Sequence, residues 1–252
     1  MKITFVGLSC YLIEDRKGGR LLIDIFKDEP RYSFGFTLPK NLIADIFLAS
    51  HADADHGYLD ERFTEHKKPN DEKKLGAADI FPNFNLRGTI AQEWNGDLCI
   101  AYHFTVDGLR CLHLADSSHP LTASQLKEFG KIDVLFLPMP KSKNDNIEME
   151  LKIIMQLRPN IIIPSHLIPM SLKNIERGYD FIYKKLAGTI LSAKQNPNAD
   201  AQTVKVFSWM LICAEKLSRH FPTKIIDSPI IEIKKLPKKP TIYYFEKCLA
   251  RK

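Results

Sequence analysis

The chain has no long hydrophobic run. Its most apolar stretches, Ile46 to Ala49, Val134 to Leu137 and Ile161 to Pro164, fall far short of the roughly 20 residues that a membrane-spanning helix needs. The opening Met1-Lys2-Ile3-Thr4-Phe5-Val6-Gly7 reads as a strand and not as a signal peptide. No membrane contact is expected, and the cytoplasm is the expected location. Cysteine is sparse too: Cys10, Cys99, Cys111, Cys213 and Cys248 are odd in number, widely spaced and set mostly in apolar segments. That pattern excludes a disulfide framework and a Cys-x-x-Cys zinc site and leaves reduced core thiols. No internal repeat is visible.

With 44% hydrophobic residues among 252, the chain can bury a large core, and no second full domain is required. The net charge is +6. Much of the excess lies late, at Lys234, Lys235, Lys238, Lys239, Lys247, Arg251 and Lys252. A run of this kind is usually a solvated face, so nucleic acid is not the expected partner, while an anionic small molecule is attracted more readily. Oligomeric state is left open, a homo-oligomer included.

Strand patterns cover Lys2 to Val6, Cys10 to Glu14 and Arg20 to Phe26, then Leu98 to Val106 and Leu109 to Leu114 around an Asp107-Gly108 turn. Thr122 with Gln125 three residues on has capping-box spacing. Further strands are expected over Asp133 to Pro138 and Ile161 to Ser165, with a helix between them over Asp145 to Leu157. Beyond these, helices are expected over Leu172 to Leu186 and Thr203 to His220, and strands over Ile230 to Ile233 and Thr241 to Phe245. Strand and helix alternate, as a layered α/β fold requires.

The chemistry concentrates in Ser50-His51-Ala52-Asp53-Ala54-Asp55-His56, directly after the apolar run ending at Ala49. Two imidazoles and two carboxylates within seven residues at a strand end form a metal-ligand cluster, because imidazole nitrogen and carboxylate oxygen are preferred donors for zinc, iron and manganese. Read alone, either aspartate is better explained as binding backbone amides of a turn, and it is the whole cluster that points to metal. Two more segments end apolar strands on polar side chains: Leu112-His113-Leu114-Ala115-Asp116-Ser117-Ser118 and Ile161-Ile162-Ile163-Pro164-Ser165-His166. His119, one residue further along the turn before Pro120, is a candidate proton donor or anion contact, or a plain turn residue.

These motifs together resemble the metallo-β-lactamase superfamily, whose signature is His-x-His-x-Asp-His at the end of a core strand. Here Asp53 stands where the second histidine is expected. The resemblance runs from Lys2 to about Leu186 and implies an α/β four-layer αββα sandwich. Residues 1–190 would form the catalytic domain, and residues 191–252 a small extension packed on it. It also implies a ligand set of His51, Asp53, Asp55, His56, Asp116 and His166 for one or two divalent ions, with Asp116 bridging. The family's middle histidine has no clear counterpart. Gln92 and Glu93 stand in the matching stretch, while His66 and His103 do not align. The second metal position, with Asp55, His56, Asp116 and His166, is expected to be the stronger.

The implied activity is metal-dependent hydrolysis by activated water, with Asp55 as orienting residue and His119 as a possible acid, on a small anionic ester, lactone or phosphodiester. The segment around Asp116 and the ending Pro164-Ser165-His166 look most like the ascorbate-phosphate lactonase group. Asp53 in place of an imidazole favours harder ions, manganese or iron, over zinc. Two other readings stand beside this one: a degenerate member that binds without turnover, and a nuclease or nucleic-acid-binding protein suggested by the basic C-terminal region.

Overall fold

The computed structural model describes residues 1–27, 36–53, 55–58, 84–93, 96–117, 119–141, 147–190 and 201–250. The first sheet takes β1 (Lys2–Gly7), β2 (Cys10–Glu14), β3 (Arg20–Ile23) and β4 (Ile46–Leu48). The chain then runs through β5 (Arg87–Gln92), β6 (Leu98–Val106), β7 (Leu109–His113), α1 (Ala123–Phe129), β8 (Val134–Pro138), α2 (Glu148–Leu157) and β9 (Ile161–Ser165). It ends with α3 (Leu172–Ile175), α4 (Tyr179–Ile190), α5 (Ala201–Ser218), β10 (Thr223–Ile226), β11 (Ile230–Glu232) and β12 (Thr241–Phe245). The strands form two sheets, ordered β11-β1-β2-β3-β4 and β10-β12-β9-β8-β7-β6-β5.

Alternation along the strands builds the layers. Ile3, Phe5, Tyr11, Ile13, Leu21 and Ile23 of the first sheet share one buried cluster with Phe104, Val134, Phe136, Ile161, Ile163 and Phe245 of the second. Their strand neighbours Leu12, Leu22, Leu112, Leu135 and Ile162 join a second cluster with Phe129, Ile153, Ile154, Ile182, Val204 and Leu211 from the helices. One face of each sheet therefore meets the other sheet, and the opposite faces contribute to the helix-covered core. This is the sandwich that the resemblance implies.

Capping sets the helix that follows β7. Thr122 caps α1 by accepting from the Gln125 backbone N–H at 3.2 Å, while the Gln125 side chain accepts from the Thr122 N–H at 2.9 Å. Three elements differ from expectation. The third strand stops at Ile23 because Asp24 takes φ 53°. The segment Leu172 to Leu186 is broken into α3 and α4 by Gly178, whose φ of 91° is outside helical space. The short, partly exposed strand β10 carries too little alternation to be read in advance. His66 lies outside the described residues, as does the start of the helix expected from Asp145.

The final strands enter both sheets. β11 pairs antiparallel with β1, and β12 runs parallel between β9 and β10. Among the described residues no helix is long and apolar enough to cross a membrane.

Because Phe136 is fully buried between the sheets, with its ring 4.7 Å from that of Tyr11, Phe136→Ala should cost about 3–5 kcal/mol of unfolding free energy. Urea denaturation followed by circular dichroism checks this; a loss below ~1 kcal/mol would contradict the inter-sheet packing.

Candidate metal centre

The polar side chains meet where strands end. β3 and β4 run parallel in one sheet and β7, β8 and β9 run parallel in the other, and their carboxyl ends lead to Asp24, His51, Asp116, Lys141 and His166. In open α/β sheets the carboxyl ends of parallel strands are where ligands bind, since the chain leaves the sheet there and the loops diverge. The backbone bends sharply at these strand ends: Asp24, Ala115 and His166 have φ of 53°, 53° and 62°. Non-glycine residues held in the left-handed region cost free energy and collect at functional sites. The turn at Ala115 also ends the alternation of β7, so Asp116 leaves the strand instead of continuing its pleat.

Asp24 organises the centre from beneath. It is fully buried and accepts from the Ser50 N–H at 2.8 Å and the Ser50 hydroxyl at 3.0 Å; His56 Nδ1 lies 2.9 Å and His113 Nε2 2.7 Å from its Oδ2. Burial pushes its carboxyl pKa up, but His56 and His113 outweigh that and hold it well below the usual carboxylate range. The consequence reaches the ligands through proton placement. With Nδ1–H of His56 donated to Asp24, Nε2 is the atom turned to the centre. Ser50 has one hydroxyl proton, spent on Asp24, so its oxygen accepts from His51 Nδ1 at 2.9 Å, which leaves the His51 Nε2 lone pair free.

The donors converge on that lone-pair side. His56 Nε2 is 2.6 Å from His166 Nε2, 3.3 Å from Asp116 Oδ1 and 3.6 Å from Asp55 Oδ2. Asp116 Oδ1 also lies 2.7 Å from His166 Nε2, yet the angles make no hydrogen bond to this oxygen, and His51 Nε2 is likewise buried without a hydrogen-bond partner. Unpaired buried acceptors cost free energy unless something fills the space between them. Two ligand groups fit a divalent ion, His51 with His56 and Asp116, and Asp55 with His56 and His166. The residues present therefore suit the metal that the resemblance implies. Gly57 closes the loop: a Cβ there would stand 2.5 Å from the His51 carbonyl oxygen.

Of the residues expected at the site, His51, Asp55, His56, Asp116 and His166 come together. Asp53 is 68% exposed, its Oδ2 3.7 Å from His51 Nε2, and belongs to neither group. His119 is exposed on the turn after Asp116. Glu93, one of the two residues weighed for the missing middle histidine, is buried with Oε1 3.7 Å from His51 Nε2, held by an isolated bridge to Ser117; Gln92 is exposed. His103 instead packs against the Phe129 ring, 3.8 Å from Glu128. Sequence reasoning missed three participants. Asp24 and His113 were hidden in apolar strand ends, where a lone carboxylate after Leu22-Ile23 was the available signal. Lys141, three residues past β8, ion-pairs with Asp116 Oδ2, and nothing in its local sequence marks it.

The electrostatics divide the imidazoles. Burial draws the pKa of His51 and His166 below the ordinary value, aided by the charge on His56, so both offer neutral lone pairs. Burial also acts downward on His56, but Asp24, Asp55 and Asp116 raise it well above the ordinary value. Asp116 is held low by His166 and His56 against the upward pull of burial, and burial raises Glu93, with Asp116 adding to the rise.

Two consequences are measurable. The raised His56 stabilises the metal-free fold fully below the unfolded imidazole value of about 6.5 and ceases to do so as pH rises through its folded value. An ion must displace that proton, so calorimetry in buffers of different ionisation enthalpy should show proton release and an affinity that falls as pH drops. An affinity independent of pH from about 6 to 9 would contradict the assignment. Asp24→Asn, which keeps the shape but removes the charge orienting His56, should weaken metal binding about 10–100-fold.

A family model described as "Beta-lactamase superfamily domain" matches residues 2–166. The chain is 26% identical over 187 residues to a UPF0173 protein of Pyrococcus furiosus, covering 66% of this chain and 83% of that protein. In structure it is similar to a Thermotoga maritima protein assigned to the metallo-β-lactamase superfamily, with a TM-score of 0.58 and 19% identity over 97% of this chain and 98% of the other. With the family model spanning well over half of the sequence, and with the two-sheet sandwich carrying histidines and carboxylates at its strand ends, the chain belongs to the metallo-β-lactamase superfamily.

Proposed function

We propose that this protein is a metal-dependent hydrolase, using one or two divalent ions drawn from zinc, manganese and iron, that acts on a small anionic ester, lactone or phosphodiester. The observation that carries the reading is the convergence of His51, Asp55, His56, Asp116 and His166 into two groups sharing His56, backed by a buried carboxylate that orients them. A bound ion supplies Lewis acidity and makes water a nucleophile near neutral pH.

The chain's own residues complete the arrangement. Asp55 is the partly exposed carboxylate of the centre, its Oδ2 3.6 Å from His56 Nε2, and is placed to accept a proton from attacking water. Asp24 and Ser50 keep His56 and His51 in the ligating tautomers. The basic excess of the chain favours an anionic substrate. Glu93 in place of an imidazole adds an oxygen donor beside His51, which supports a preference for harder ions. His119, exposed beyond Asp116, is available to protonate a leaving group.

Elemental analysis of purified protein, joined to a screen of lactones, phosphodiesters and thioesters, tests the proposal. Wild-type protein should carry a divalent ion and turn over at least one class. Asp55→Ala should lower kcat/KM by at least about a hundredfold, or ~2.7 kcal/mol in transition-state stabilisation, and His166→Ala should lose metal and activity together. Unchanged metal content and rate in both variants would sink the assignment. Metal without turnover of any class would favour a binding protein of degenerate sequence.

A further inference from the structure

The metal centre contains a cation of its own. Lys141 reaches in from the segment after β8 and ion-pairs with Asp116 Oδ2, the oxygen turned away from His56 and His166. Asp55, with Oδ2 3.6 Å from His56 Nε2, and Glu93, with Oε1 3.7 Å from His51 Nε2, add two more carboxylates to the centre. Three carboxylates thus share the centre with one ammonium group, which contacts Asp116. In a centre with two ions, those are the charges that the second ion would neutralise, and both oxygens of the bridging aspartate would be available to metal.

Resting on the reading of a metal centre above, we propose that this protein holds a single divalent ion, at His56, Asp116 and His166 with Asp55, and that the Lys141 ammonium takes the place of a second ion's charge. Three observations converge on this. Asp116 is divided, Oδ1 toward the two imidazoles and Oδ2 toward Lys141. The two ligand groups both use His56, whose Nδ1 is committed to Asp24; its one remaining nitrogen can bind one ion. The donors left for another ion are thin: with His56 and Asp116 Oδ1 committed to the first ion, His51 keeps, among the described residues, Glu93 and the exposed Asp53, each 3.7 Å from its Nε2. Placing a divalent ion there would set it near the Lys141 ammonium, like charge near like, and withdrawing the ammonium would leave Asp116 Oδ2 unpaired inside a buried site.

Titrating metal-stripped full-length protein with zinc and with manganese, read by native mass spectrometry and calorimetry, tests this without reference to turnover. The wild type should take up one equivalent. Lys141→Met, which keeps the length of the side chain without its charge, should bind a second equivalent at least about tenfold more tightly than the wild type does, a change of the size that outer residues exert on metal sites. Lys141→Arg, which keeps the charge, should stay at one. Two tight equivalents in the wild type would overturn the single-ion proposal while leaving the hydrolase reading intact; no uptake at all would overturn both. A Lys141→Met protein that is folded by circular dichroism and still stops at one equivalent would also overturn it. The wild-type count decides the matter even if that variant does not fold.

Discussion

A carboxylate with no access to water must be compensated on every side, and Asp24 is compensated by the groups that build the metal centre. Ser50 meets it with both its backbone N–H and its hydroxyl, and His56 and His113 meet it with ring nitrogens from two different sheets. The cost of leaving any of these unpaired ties the end of β3, the loop after β4 and the end of β7 into one unit. The orientation of His56, and through Ser50 that of His51, follows from this demand.

The sandwich converts that local network into a centre. Parallel pairing within each sheet aligns strand ends, so the loops after β4, β7, β8 and β9 leave at one rim and bring His56, Asp116, Lys141 and His166 within reach of one another. The rim accumulates charge of both signs in a buried volume. Neutral His51 and His166, a proton-carrying His56 and an ionised Asp116 are the arrangement that balances it without a metal. The left-handed backbone at Asp24, Ala115 and His166 is strain that this packing sustains.

Much of the fold was legible because period-two alternation and turn residues are local. The Asp107-Gly108 hairpin, the Thr122 cap and the buried strand ending at Ser165 lie where pattern and capping chemistry put them. Boundaries were lost where a single residue adopts an unusual φ, as at Asp24 and Gly178, since side-chain identity at those positions does not announce the backbone angle. The dense cluster from His51 to His56 was legible as ligand chemistry for the same local reason. Within it, Asp53 and Asp55 look alike in sequence and part in space, one largely in solvent and the other at the centre.

The sequence by itself determined the layered strand-and-helix order and a density of imidazole and carboxylate at strand ends that points to metal. Composition, spacing and capping act within a few residues, and those features depend on nothing further away. Only the tertiary structure decided that Asp24 and His113 hold the ligands from below, that Glu93 stands by His51, and that Lys141 lies against Asp116. Those pairs are 89, 42 and 25 residues apart or joined across two sheets, and such partners are chosen by the packing of the sandwich, through the penalty on buried charge, and not by any local pattern.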